Sequence, residues 1–163
     1  MTYYTEYSSP LGKLLLAATD AGLCGVYFQE GHKYFKGTQA WQPAGAHHHL
    51  QETARQLDEY FAGRRAVFEL PLDMSGTAFQ KSVWQELVQL PYGDSTSYRT
   101  IAQRLGNPKA VRAVGSAIGR NPVCIIVPCH RVLGTSGSLA GYAGGLERKR
   151  YLLAHERNCT SGT

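Results

Sequence analysis

Cys129 and His130 stand side by side in Pro128-Cys129-His130-Arg131-Val132, directly after the apolar run Val123-Cys124-Ile125-Ile126-Val127. A thiol attacks as its thiolate, and a free pKa of about 8.5 leaves only a few per cent ionised at neutral pH. An imidazole placed to take the proton, directly or through a water, raises that fraction. Pro128 fixes its own φ and keeps Val127 extended, and the β-branched run before it reads as a buried strand, so Cys129 is expected at a stiff strand end. The plain alternative is a cysteine packed as a small hydrophobe, which suits Cys24 and Cys124 in their apolar runs. Cys159 falls in a polar tail. A zinc site from Cys124, Cys129 and His130 lacks the Cys-x-x-Cys pair such sites use.

The other histidine cluster, His47-His48-His49, is a weaker candidate. Three adjacent residues on a helix point in three directions, and no cysteine or acidic group nearby completes a metal site.

The charge points to a polyanionic partner on one half of the chain. Net charge is +5 over 163 residues, but residues 1–77 hold 6 Lys+Arg against 8 Asp+Glu, while residues 78–163 hold 11 against 4. Solubilising surface charge is the competing explanation. Four cysteines without paired spacing, no apolar run of about 20 residues and a polar start without a basic leader imply a reduced compartment, the cytoplasm, and no membrane contact.

These residues need a scaffold, and the periodicity supplies one. Tyr3 to Tyr7, Lys13 to Ala18 and Leu23 to Phe28 alternate as three strands of an antiparallel meander, broken by Ser9-Pro10-Leu11-Gly12 and Asp20-Ala21-Gly22. Gly31 to Ala46 is loop-like, and His47 to Phe61 is an amphipathic helix stopped by Gly63. Pro71 to Gly76 is a linker. Thr77 to Gln80 has the form of a capping box, with Phe79, Val83, Leu87 and Leu90 as the apolar stripe that follows.

Ser97 caps a short helix that Gly106 ends. Asn107 caps the next, with Pro108 at its first position. Two short helices joined by a Gly-containing turn read as a helix-turn-helix, with an ordinary helical hairpin as the alternative. Val111, Val114 and Ile118 face inward, which leaves Lys109, Arg112, Ala113, Ser116 and Arg120 outward. Bases flanking small residues suit close approach to a DNA groove.

Pro128 to Val132 resembles the active-site signature of the O6-alkylguanine-DNA alkyltransferases, the methylated-DNA–protein-cysteine methyltransferases. The similarity continues through Ser97-Tyr98, Gly106-Asn107-Pro108, Val111-Arg112-Ala113-Val114-Gly115 and Asn121-Pro122. Downstream it takes in Gly141-Tyr142-Ala143-Gly144-Gly145 and Leu152-Leu153-Ala154-His155-Glu156. It covers nearly all of residues 78–157, whereas in residues 1–77 it is confined to Ser9-Pro10-Leu11-Gly12.

The resemblance implies an α/β protein in three parts. Residues 1–77 would be a ribonuclease H-like domain with a three-stranded antiparallel sheet and a helix, plus linker. Residues 78–157 would be a mainly helical, winged helix-turn-helix-like domain carrying the cysteine, and 158–163 a tail. It implies Cys129 as alkyl acceptor, His130 as base through a bridging water, Glu156 orienting the imidazole and Asn121 bracing the turn. Tyr98 would protonate or hydrogen-bond the leaving guanine. Arg112 would fill the base stack, with Lys109, Ala113 and Ser116 along the DNA. Val132 and Tyr142, Ala143, Gly144 and Gly145 would line the base pocket.

The partner implied is double-stranded DNA bearing O6-alkylguanine, with O4-alkylthymine as a second substrate. The protein would be a monomer needing no cofactor, with cooperativity on DNA left open. A stacked base cannot present its alkyl carbon to a rigidly held thiolate, so the nucleotide must be flipped out. The thioether product has no carbonyl for water to attack, so each molecule reacts once. Ala140, Gly141 and Ala143 are small but leave the preferred alkyl group open. The rivals are a damage-flagging relative, which would lack the cysteine, a cysteine hydrolase, and a methyltransferase with a soluble donor, for which Gly141 to Gly145 is a poor nucleotide fingerprint.

Overall fold

In the computed structural model the described residues are 1–33, 35, 37–134, 137–139 and 141–161. Strands β1 (Tyr3–Ser9), β2 (Gly12–Ala18) and β3 (Leu23–Phe28) form the expected antiparallel meander. The first turn is closed by Ser9, whose Oγ accepts from Leu11 N–H at 3.1 Å and donates to the Gly12 carbonyl at 2.6 Å. Gly12 sits at φ +105°, where a side chain would be strained.

The sheet has four strands rather than three, because β4 (Gln42–Pro43) pairs in parallel with β1 and gives the order β3-β2-β1-β4. Two residues are too few to show periodicity. Pro43, without an N–H, is tolerated at this outer edge.

One face of the sheet carries Leu14, Leu16, Val26 and Phe28, buried in the same core as Leu50, Leu57 and Tyr60 of α1 (His48–Phe61). Each such Leu or Phe contributes about 1.5–3 kcal/mol relative to exposure. The opposite face is covered by Tyr4, Tyr27, Phe35 and Trp41, with ring centroids 5.1–6.3 Å apart for the Tyr27–Phe35, Tyr27–Trp41 and Tyr4–Trp41 pairs. His47 caps the helix: its Nδ1 accepts from His49 N–H, and its ring stacks on Tyr3. Among the described residues no His, Cys, Asp and Glu group suited to a metal ion occurs.

Helix α2 (Ala78–Val88) starts at the Thr77–Gln80 capping box. Phe79, expected inward, is 38% exposed, and Trp84 is buried instead, its Nε1–H donating to the Ala117 carbonyl at 2.9 Å. Ser97 caps α3 (Tyr98–Arg104), and Gly106 at φ +77° follows its end. Helix α4 (Val111–Gly119) begins three residues later than Pro108, because residues 107–110 close a turn through Ala110 N–H to the Asn107 carbonyl. Val114, Ala117 and Ile118 are buried, and Arg112, Ala113 and Ser116 are exposed.

Val123 to Val127 is not a strand. Only Val123 bridges to Val26 of β3, and the chain then turns tightly, with Ile126 N–H bonded to the Cys124 carbonyl, Val127 N–H to that of Val123, and Ile125 at φ +72°. Cys124 therefore lies in a buried turn rather than an apolar strand. Short strands β5 (Thr96–Ser97) and β6 (Val132–Leu133) pair in parallel, drawing the start of α3 beside the residues that follow Cys129. Helix α5 (Leu146–Ser161) packs over the 3₁₀ turn Cys129–Arg131. Because α5 continues to Ser161, residues 158–161 are helical rather than a tail, and Cys159 lies one turn from His155 on the same helix. No described helix is long and apolar enough to cross a membrane.

Candidate active site

The turn before Cys129 is held by one side chain. Asn121 Nδ2 donates to the Val127 carbonyl at 2.9 Å and the Val123 carbonyl at 3.4 Å, while its Oδ1 accepts from Val123 N–H at 3.0 Å. These bonds do for the turn what a ladder would do for a strand, satisfying backbone groups that burial hides from water. Cys129 emerges from it 3% exposed.

The Cys129 thiol is more acidic than usual. A hydrogen bond from the Cys124 thiol is the main cause, joined by Asn121, the Lys149 charge and a backbone N–H, and together they outweigh burial. Cys124 is shifted the opposite way, first by donating that bond and then by burial.

His130 and Glu156 are both essentially fully buried, with Nε2 2.7 Å from Oε2. Burial alone would raise the Glu156 pKa, but the hydrogen bonds and charges of His130 and Arg131 hold it well below the usual carboxylate range. The carboxylate therefore only accepts, so the imidazole carries its hydrogen on Nε2 and presents Nδ1 as a lone pair. That Nδ1 is buried without a hydrogen-bond partner among the described residues. Burial also lowers the His130 pKa, against the pull of Glu156, so the ring is neutral at neutral pH and able to accept a proton.

Glu156 has further donors. Arg131 forks onto it, Nε to Oε1 at 2.7 Å and Nη2 to Oε2 at 3.1 Å, and its Nη1 donates to the Leu90 carbonyl. Tyr60 of α1 donates its hydroxyl to Oε2 at 2.6 Å. Lys149 Nζ donates to the carbonyls of Val132 at 2.6 Å and Gly141 at 3.2 Å and lies 5.7 Å over the Tyr98 ring. Burial pushes its pKa down to about 8.

A cavity of about 400 Å³ opens between α4 and the loop that precedes α5, lined among others by Tyr98, Gly115, Ser116, Gly141, Tyr142 and Ala143. Tyr98 Oη reaches the Gly141 carbonyl at 3.4 Å. The structure thus brings Cys129, His130, Glu156 and Asn121 into one buried group, and Tyr98, Ser116, Tyr142 and Ala143 around one cleft.

Val132 is buried in β6. Gly144 is pressed against Phe28, and Gly145 is exposed at φ +93°. Lys109 lies in the turn before α4, exposed like Arg112 and Ala113. Ala140 lies outside the described residues.

Four contributors escaped the sequence reading. Tyr60 sits at an apolar helical position and looks like core, and Cys124 looks like filler. Lys149 hides in the charged run Glu147-Arg148-Lys149-Arg150. Arg131 lies inside the signature but beside its chemistry-bearing letters. Arg131 and Lys149 are buried, and Arg148 bonds the carbonyls of Leu11, Glu30 and Gly144. Part of the positive charge of residues 78–163 therefore works inside the fold rather than on a groove face.

Comparison with known proteins finds matches over nearly the whole chain. Residues 78–158 match the family described as 6-O-methylguanine DNA methyltransferase, DNA binding domain, and residues 2–74 match 6-O-methylguanine DNA methyltransferase, ribonuclease-like domain. A methylated-DNA–protein-cysteine methyltransferase of Methanosarcina acetivorans is 47% identical over 157 residues, covering 96% of this chain and 99% of its own. The constitutive Bacillus subtilis protein of that name is 46% identical over 159 residues, covering 96% of each chain. Among solved structures, Mycobacterium tuberculosis OGT in complex with DNA superposes with a TM-score of 0.88 at 43% identity, covering 96% of this chain and 94% of that one.

Proposed function

Because the chain belongs to the 6-O-methylguanine DNA methyltransferase family, we propose that it repairs duplex DNA by moving the alkyl group of a flipped-out O6-alkylguanine onto Cys129, once per molecule. The observation that carries this reading is the buried Glu156–His130 pair adjoining Cys129, with His130 Nδ1 left without a hydrogen-bond partner among the described residues.

The proton of the Cys129 thiol passes through a bridging water to His130 Nδ1. The thiolate electron pair forms the S–C bond as the C–O6 bond breaks, and the guanine leaving group takes a proton from Tyr98; proton exchange with solvent then restores the tyrosine hydroxyl and the neutral imidazole. Glu156 stays ionised throughout, fixing the tautomer and stabilising the imidazolium, as the acid does in a triad. Asn121 holds the turn. The sp³ carbon ends in a thioether that water does not cleave, so no second turnover follows, and no step requires a cofactor.

The exposed face of α4 and the turn before it meet the DNA, with Arg112 entering the stack and Lys109, Ala113 and Ser116 along the backbone. Tyr142, Ala143, Gly144, Gly145 and Val132 shape the base pocket, and O4-alkylthymine is a second substrate. Helices α3 and α4 with the β5–β6 pair serve as a winged helix-turn-helix-like unit over residues 78–157. The ribonuclease H-like unit of residues 1–77 supports it. The protein acts as a monomer in the cytoplasm, where an acceptor thiol stays reduced.

Intact-mass measurement after mixing with a duplex bearing one O6-methylguanine tests this directly. One methyl group in place of one proton is expected on the Cys129 peptide, and none on Cys129→Ser. Repeated turnover, or methyl on another residue, would overturn the reading.

A further inference from the structure

Glu156 Oε2 is shared. It accepts from His130 Nε2–H at 2.7 Å and from the Tyr60 hydroxyl at 2.6 Å. Tyr60 belongs to α1, under the sheet, whereas the other groups of the relay come from the Cys129–Arg131 turn and α5. Its hydroxyl is fully buried, and the ring is fixed by Phe61, Phe68, Tyr92 and His155, with centroids 5.1–6.2 Å away. Packing alone would be served by phenylalanine. A buried hydroxyl placed on the one oxygen that the relay histidine uses has a chemical effect.

We infer that Tyr60 is a positioning residue of the alkyl-transfer site, whose hydroxyl withdraws charge from Glu156 Oε2 and so limits how strongly the carboxylate holds a proton on His130. This rests on the relay proposed above. A carboxylate that accepts fewer hydrogen bonds is a stronger attractor of the imidazolium, so removing the Tyr60 donor makes His130 easier to protonate. The ring then becomes protonated, and useless as a base, at a higher pH than before.

Charged and titratable groups facing the pair and Tyr60 include Arg131 on the 3₁₀ turn, Lys149 and His155 on α5 and Tyr92 on the segment after α2. Arg131 continues to hold Oε1 in the variant, so the carboxylate stays in place while its charge distribution changes.

The test is the pH profile of single-turnover methyl transfer from an O6-methylguanine duplex, measured for the full chain, Tyr60→Phe and Glu156→Gln. The 15N chemical shifts of the His130 ring are read in parallel to report its protonation and to show that each variant is folded. In Tyr60→Phe the acid limb and the His130 titration should both move to higher pH by about one unit, the scale of an ordinary environmental shift. Glu156→Gln should move both to lower pH. An unchanged Tyr60→Phe profile beside a shifted Glu156→Gln profile would reduce Tyr60 to packing and overturn this inference alone. No shift in either variant would remove the relay itself, and a shift in Tyr60→Phe alone would show that Tyr60 does not act through Glu156.

Discussion

Lys149, buried within α5, donates its ammonium to the carbonyl of Val132 at 2.6 Å, three residues after Cys129. A buried ammonium is costly, and burial has already drawn its pKa down to about 8. The return is a positive charge close enough to Cys129 to favour the thiolate.

Lys149→Met removes that charge while keeping the stem. Iodoacetamide labelling of Cys129, followed against pH, should shift its midpoint upward, and methyl transfer at neutral pH should slow in step with the lost thiolate fraction, by no more than about tenfold per unit of that rise. A midpoint that stays in place would assign Lys149 to holding the Val132 and Gly141 carbonyls and nothing more.

Stability should depend on pH through His32. Its Nδ1 accepts from Phe28 N–H at 3.2 Å, and burial, with Arg148 nearby, lowers its pKa to about 4. The folded protein thus binds fewer protons than the unfolded chain between about pH 6.5 and 4. The stabilisation is complete above the unfolded pKa and is lost as pH falls toward the folded one. His130 acts in the same direction, whereas Glu156, with its depressed pKa, loses its contribution only at more acid pH. His32→Asn keeps an acceptor but does not titrate, so its melting temperature should fall less steeply across this window, by about 1–2 kcal/mol of pH-dependent stability after solvent screening. Parallel curves for the two proteins would show that His32 is already protonated or freely hydrated in the fold.

Gly144 links the pocket loop to the sheet. A Cβ there would lie 2.5 Å from Phe28 Cε2 and 2.9 Å from Tyr142 Cε2, closer than packed atoms tolerate. Gly144→Ala should destabilise by about 1–3 kcal/mol through overpacking, and Phe28→Leu should restore part of that loss. Additive losses in the double variant, measured by urea denaturation, would show that the Phe28 contact is not what excludes a side chain at 144.

The meander, the α1 stripe and the capping box of α2 were legible because each obeys a local period or cap chemistry. The turn around Cys124 was not. Val123 to Val127 has strand composition, but Asn121 takes the carbonyls that a neighbouring strand would have taken, and a side-chain bond to a residue six places away leaves no periodic trace. Cys129 and His130 could be paired as thiol and base from their adjacency, but Glu156 was reached only through family likeness, since it lies 26 residues beyond His130 and meets it only because α5 folds back. Tyr60, 96 residues from Glu156, was beyond any pattern.

The outward face of α4 yields the last prediction. Arg112 is exposed beside Ala113 and Ser116, and Ser116 also lines the cleft that Tyr98 and Tyr142 share. A groove-facing arginine can act by contacting phosphate or by filling the stack that an extruded base leaves, and the two roles separate by substrate. Loss of one phosphate contact weakens duplex binding and lowers the log-log salt slope by about 0.9. Loss of the stack-filling side chain raises the cost of extrusion, estimated at a few kcal/mol, which a free modified base never meets. Arg112→Ala should therefore slow single-turnover repair of an O6-methylguanine duplex by roughly 10²-fold or more, at protein concentrations that saturate the DNA, while leaving reaction with free O6-methylguanine within a few-fold of the unmodified protein. Saturation removes the phosphate explanation, because weaker binding no longer limits the rate. Equal slowing on both substrates would place Arg112 in support of the pocket or the fold, and its part in base extrusion would have to be withdrawn.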